Sequence, residues 1–172
     1  MNSKSDFVLE TTKKLVDKAS DFGLELVVCG GISVHMLSKY LKRDSPRQWN
    51  HKDIDFVVPL SQLSRAIAFF KSLGYTKVFV PHKKARVAKN HFRFGNIINN
   101  VKILVDIYGK PKMAIVRINQ NGIEIPLLSP RIELENWRDR ERRVGPRPSI
   151  RLSIDFLQSV VERKLFEEEE LT

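Results

Sequence analysis

The sequence predicts an α+β (α/β) domain in which a mixed sheet of five or six strands is flanked by helices. Three observations predict it. A segment with helical spacing opens the chain, short valine- and isoleucine-rich runs bounded by Gly, Pro and Asn follow, and two charged amphipathic segments close it. The 172 residues, 42% hydrophobic and 9% aromatic, suffice for one domain with a core that needs no disulfides. Residues 1–172 are therefore read as a single domain, with 129–172 a C-terminal helical extension.

Residues 3–22 place Phe7, Val8, Leu15, Val16 and Ala19 among polar faces, an amphipathic helix that Gly23 ends. Leu24 to Cys29 is a valine-rich buried strand, broken by Gly30-Gly31. Ile32 to about Leu41 is helical, with Ile32, Met36, Leu37 and Tyr40 on one side. Residues 42–52, polar and holding Pro46 and Trp49, form a loop. Asp53 to Val58 is a second strand, stopped by Pro59; Ser61 caps a helix through Leu73, and Gly74 stops it. Thr76 to Val80 is a third strand. His91–Phe94 and Val101–Tyr108 read as one hairpin, and Met113–Ile118 and Gly122–Leu127 as another. Ser129-Pro130 opens a charged helix to about Arg143, Val144–Pro148 is a linker, and a last amphipathic helix runs from Ser149 to about Glu168. The acidic run Glu167–Glu170 reads as a frayed, solvated end.

One cysteine, Cys29, excludes a disulfide framework and a cysteine-ligated metal site. Neither a leader-like apolar run nor the roughly 18 apolar residues of a membrane span is present, so a cytoplasmic protein without a membrane partner is expected.

Thirty Lys and Arg against twenty Asp and Glu give +10, all of it in residues 1–110. No acid occurs between Asp55 and Asp106, an interval that holds nine Lys and Arg. A field this one-sided points to phosphates or nucleic acid, against the alternative of an ordinary solvated basic surface. The densest part carries Lys83, Lys84, Arg86, Lys89 and Arg93 interleaved with His82, His91 and Phe92, a mix suited to a phosphate backbone and stacked bases.

The carboxylates carry the chemistry. Asp53 and Asp55 stand two apart on a strand, so both side chains share a face and can converge on one or two cations. Asp106 lies in an equally apolar strand, Val101–Tyr108. Should the two strands be neighbours, three carboxylates converge, and an all-oxygen cluster suits Mg²⁺ or Mn²⁺ better than zinc. Three separate salt bridges or strand-end caps are the alternative. Gly30-Gly31, between a strand and a helix, lets backbone approach a phosphate, and Ser33 can add a hydroxyl; a tight turn is the alternative. Neither a P-loop nor a Rossmann fingerprint is present.

Strand, Gly30-Gly31, helix, Asp53-Ile-Asp55 and a later Asp106 together resemble the nucleotidyltransferase superfamily over residues 24–130. The spacing from Gly31 to Asp53 looks most like the abortive-infection toxin nucleotidyltransferases, as does Glu124-Ile-Pro-Leu-Leu-Ser-Pro130. That resemblance implies a DNA polymerase beta-like fold. It implies that Gly30, Gly31 and Ser33 hold the triphosphate, that Asp53 and Asp55 ligate two Mg²⁺ ions, and that Asp106 ligates one and helps to deprotonate the attacking hydroxyl. It further implies a neutralising antitoxin protein. The stretch Arg143–Asp155 departs from the pattern, being interrupted by prolines and lacking lysine. The expected function is metal-dependent transfer of NMP from an NTP to an acceptor hydroxyl, with RNA, such as a tRNA end, favoured by the basic charge. A non-catalytic nucleic-acid- or nucleotide-binding module retaining the fold is the alternative.

Overall fold

The computed structural model describes residues 3–43, 49–79 and 90–172. Helix α1 (Lys4–Asp21) opens with a capping box: the Ser3 hydroxyl accepts the Asp6 N–H at 3.2 Å, and the Asp6 carboxylate accepts the Ser3 N–H at 3.1 Å. Strand β1 (Val27–Cys29) runs directly into α2 (Gly30–Tyr40). Strand β2 (Asp53–Pro59) passes through a 3-10 turn at Leu60–Gln62 into α3 (Leu63–Ser72), which has no side-chain cap, so Ser61 does not play the part expected of it. Then come β3 (Thr76–Val78), the hairpin β4 (His91–Ile98) and β5 (Val101–Lys110), and the hairpin β6 (Met113–Gln120) and β7 (Ile123–Leu128). Helices α4 (Pro130–Val144) and α5 (Pro148–Glu162) and strand β8 (Glu169–Leu171) complete the chain.

Among the described residues, eight strands form one mixed sheet, ordered β3-β4-β5-β2-β1-β7-β6-β8. That corrects the expected five or six. The strand with no counterpart in the sequence reading is the short edge β8, built from the acidic tail itself. Glu169 forms a two-nitrogen pair with Arg117 at 3.0 Å, and Glu168 accepts hydrogen bonds from Ser129 and Arg131. Those partners draw β8 onto β6, so the last helix ends at Glu162 and the tail is paired rather than frayed.

Alternation along β2 and β5 gives the sheet two unlike faces. Ile54, Phe56 and Val58, with Ile103, Val105 and Ile107, are buried in a core shared with all five helices. Each such side chain contributes about 1.5–3 kcal/mol by leaving water. The opposite face carries a smaller apolar cluster of Val27, Cys29, Val57, Met113, Ile115 and Leu128, and beside it the acids. No helix of the described residues is long and apolar enough to cross a membrane.

Candidate active site

Strand pairing decides whether the three carboxylates meet. β2 and β5 are adjacent and parallel, with Asp55 directly opposite Asp106. Paired strands lie roughly 4.8 Å apart, so these two carboxyl groups face one another across a single ladder rung. Asp53 is one pleat away on the same face. The rung extends outward on both sides, to Cys29 of β1 and to Arg93 of β4.

The environments of the three acids differ. Asp106 is 1% exposed and fully engaged. Arg93 donates to it through two nitrogens, Nε to Oδ1 at 2.8 Å and Nη2 to Oδ2 at 2.6 Å, and His91 Nε2 stands 2.6 Å from the same Oδ1. Arg93 also reaches Asp53 at 3.7 Å. Both partners come from β4, two residues apart and therefore on one face, and His91 is held flat against Tyr108 with ring centroids 4.4 Å apart. Asp55, by contrast, makes no hydrogen bond or ion pair among the described residues. Burial, then the charges of Asp106 and Asp53, push its carboxyl up to about 7, against the opposing pull of Arg93 and Arg140.

A divalent cation fits Asp53 and Asp55: oxygen donors only, two on one face, one of them destabilised by neighbouring negative charge. The fit does not extend to Asp106, whose two oxygens are already claimed. Among the described residues no three His, Cys, Asp or Glu side chains group as a metal cluster.

Gly30 joins β1 to α2 with φ +71°, and a Cβ there would stand 2.8 Å from Asp55 Oδ2. Glycine is thus required both for the turn and for the close approach of backbone to carboxylate. Its N–H donates to Glu133 Oε1 of α4 at 2.7 Å. Glu133 is buried, and burial raises its carboxyl to about 8, with the Gly30 N–H opposing and Asp55 adding to the rise. The unfolded chain therefore loses this proton at lower pH than the folded one. Stability from Glu133 is complete below its ordinary 4.5 and declines as pH climbs from there to about 8. Glu133→Gln, which keeps the acceptor for Gly30, should melt higher than the parent at pH 8.5 and coincide with it at pH 4.5. Equal melting temperatures at both values would contradict this account of Glu133.

Between the acid face and α4 lies a cleft of about 420 Å³. Gly30, Asp55 and Tyr108 floor it, Glu133 and Trp137 form one wall, and Lys110, Lys112, Arg140 and Arg143 supply its positive charge. Arg140 lies over the Trp137 ring at 5.3 Å, while Arg143 is paired with Asp139 at 2.9 Å.

No protein-family model matches the sequence, and no curated protein sequence matches it. Solved structures do. ANT(2")-Ia in complex with adenylyl-2"-tobramycin superimposes with a TM-score of 0.63 at 14% identity, over 91% of this chain and 90% of that one. Lincomycin-bound LnuA, a lincosamide antibiotic adenylyltransferase, gives 0.56 at 15% identity over 93% and 98%. An antigenic nucleotidyltransferase-like protein from Paracoccidioides brasiliensis gives 0.62 at 15% identity over 89% and 76%. The chain has the nucleotidyltransferase fold.

Within that fold the residues singled out by the sequence fall into three groups. Asp53, Asp55, Asp106 and Gly30 meet at one place. Arg93 joins them, its guanidinium turned into the acids rather than outward, while Lys83, Lys84, Arg86 and Lys89 lie outside the described residues. Gly31 and Ser33 follow on α2; Ser33 is 3% exposed, and neither lines the cleft. Glu133, Lys110, Lys112 and Arg140 were not among the expected site residues. Trp49, His35 and His51 form a ring stack ahead of β2. His35 Nδ1 is 2.8 Å from His51 Nε2, and Ser5 ties the Trp49 carbonyl and the His51 N–H, which fixes the entry into β2.

Proposed function

We propose that this protein transfers a nucleoside monophosphate from an NTP to an acceptor hydroxyl, with RNA the favoured acceptor. One observation carries the reading: Asp53, Asp55 and Asp106 share one face of the sheet, Asp55 directly opposite Asp106, and Asp55 opens onto a cleft rimmed by Lys110, Lys112 and Arg140. A triphosphate needs positive charge along its length and a polar, preorganised site at the phosphorus that reacts, and this cleft offers both. Asp53 and Asp55 would hold a divalent ion, Mg²⁺ or Mn²⁺, which when bound supplies charge against the developing oxyanions. Lys110, Lys112 and Arg140 would neutralise the phosphates, and Gly30 lets Asp55 lie against the backbone. The structural neighbours named above, which include enzymes acting on a nucleotide and an antibiotic, support this reaction class.

The acceptor is argued from charge. Adenylyl-2"-tobramycin is the molecule carried by one neighbour. Here the surplus of +10, with nine Lys and Arg and no acid in the sequence between Asp55 and Asp106, suits a polyanion instead. A tRNA end would present both the phosphates and the hydroxyl. The sequence resemblance to abortive-infection toxins adds a neutralising protein partner to this reading.

The test is transfer from α-labelled NTPs, each base separately, to total RNA and to the protein itself, with Mg²⁺, with EDTA, and with Asp53→Ala. Metal-dependent label in RNA, lost in the variant, is the expected result. Label that survives Asp53→Ala would remove the site assignment, and an unlabelled RNA fraction with all four nucleotides would remove RNA as acceptor. The saturation of Asp106 by Arg93 and His91 favours a second reading, a binding module that retains the fold; it predicts RNA binding that is salt-sensitive and indifferent to Mg²⁺.

A further inference from the structure

The sequence resemblance assigns metal ligation to all three carboxylates, and the geometry distributes them differently. Asp106 is 1% exposed, and each of its oxygens already accepts a charge-assisted hydrogen bond from Arg93, with His91 as a third contact. Freeing it means breaking two such bonds and pulling a largely enclosed guanidinium away from its strongest partner. Asp53 retains a 30% exposed side chain, and Asp55 has no partner among the described residues. Those two are available to an ion; Asp106 is not.

We propose that Arg93 is the resident second cation of this site: anchored on Asp106, its guanidinium stands in for one metal ion, and Asp53 with Asp55 form a site for one divalent ion. The inference rests on the nucleotidyl-transfer reading and names how its charge is supplied. Charge balance within the cluster supports it, since three carboxylates are neutralised by one guanidinium and one divalent ion, whereas a second divalent ion would leave these four side chains with a net positive charge. Placement supports it too. Arg93 lies on the same rung as Asp106 and Asp55, and its Nη2 is 2.6 Å from Asp106 and 3.7 Å from Asp53, so the guanidinium already spans the two outer acids. Arg93 is thereby a cation fixed in place by the fold, present before any ion or nucleotide arrives.

The experiment is titration of the protein with Mn²⁺ alone, reading free Mn²⁺ by electron paramagnetic resonance. Three proteins are compared: wild type, Asp55→Asn, and the Asp106→Asn/Arg93→Gln double variant, which removes one charge of each sign and keeps the local balance. Wild type is expected to bind one Mn²⁺ per chain. The double variant should keep that ion with a Kd within about threefold, because no ligand and no net charge has been removed, and Asp55→Asn should weaken it by about tenfold or more. Two ions per wild-type chain, or loss of binding in a folded double variant, would overturn the proposal. The wild-type stoichiometry alone decides the matter if the double variant does not fold. Transfer activity is read nowhere in this titration, so either of those failures leaves the nucleotidyl-transfer reading to its own assay, whereas no Mn²⁺ binding at all would overturn the proposal and remove the metal from that reading as well.

Discussion

Asp55→Asn is expected to lower nucleotidyl transfer by about 10³-fold or more while making the protein more stable above neutral pH. The two effects have one cause. Asp55 faces Asp106 across a ladder rung with Asp53 one pleat away, and burial with these neighbouring charges lifts its carboxyl from 3.8 to about 7. An acid whose folded pKa is raised contributes stability below its unfolded value and loses it as pH rises toward the folded one. The folded protein therefore bears a cost between about pH 4 and 7 that remains in force above 7. Asparagine, an isostere that never ionises, removes that cost together with the ligand. Thermal melts should show the variant ahead of wild type at pH 8 and level with it at pH 4, each 1 kcal/mol appearing as about 2–4 °C in a domain of this size. Transfer reduced less than tenfold, or a variant that melts lower at pH 8, would show that Asp55 is an ordinary structural carboxylate. Local destabilisation for the sake of reactivity is what a binding site for a cation requires, and it is the reverse of the arrangement at Asp106.

Asp53, Asp55 and Asp106 were legible in the sequence because ionised groups in strands of Ile, Val and Phe have no structural reason to be there without a partner. Their meeting was not, since it depends on β2 and β5 being neighbours although separated by α3, β3 and β4. The hairpins are legible from their turns, the first helix from its apolar spacing and the start of α4 from Ser129-Pro130. The short edge β8 is not legible for a physical reason: its three residues carry too little periodicity to register, and it forms through pairs with Arg117, Ser129 and Arg131 that are 37 to 52 positions distant. Arg93 was read as one more cation in a basic stretch, because its register opposite Asp106 exists only once β4 and β5 are paired. Glu133, Trp137 and Arg140 were the avoidable omission. With Asn136 they fall at i, i+3, i+4 and i+7 on α4, a helical stripe visible in the sequence, which the abundance of charge in that segment concealed.

Gly30→Ala is the second large effect, and it separates strain from chemistry. The residue occupies φ +71°, where an L side chain costs about 1–2 kcal/mol, and the added methyl would meet Asp55 Oδ2 at 2.8 Å. Something must yield, and the carboxylate of a short side chain yields most readily, swinging out of register with Asp53 and Asp106. A displacement of about 1 Å at a reacting centre is enough for a loss near 10²-fold. Gly122 provides the control. Its φ of +83° carries a similar strain in the β6–β7 turn, yet a Cβ there would meet nothing within 4 Å. Gly122→Ala should therefore lose a comparable few degrees of melting temperature and keep its transfer rate, whereas Gly30→Ala should lose both. If Gly30→Ala transfers at the parental rate, the contact with Asp55 has no part in the reaction; if Gly122→Ala falls equally far, the loss in both is one of stability. The expected divergence between two glycines of similar positive φ would locate the chemistry at the β1–α2 junction, where one backbone turn holds a carboxylate in place and donates its N–H to Glu133.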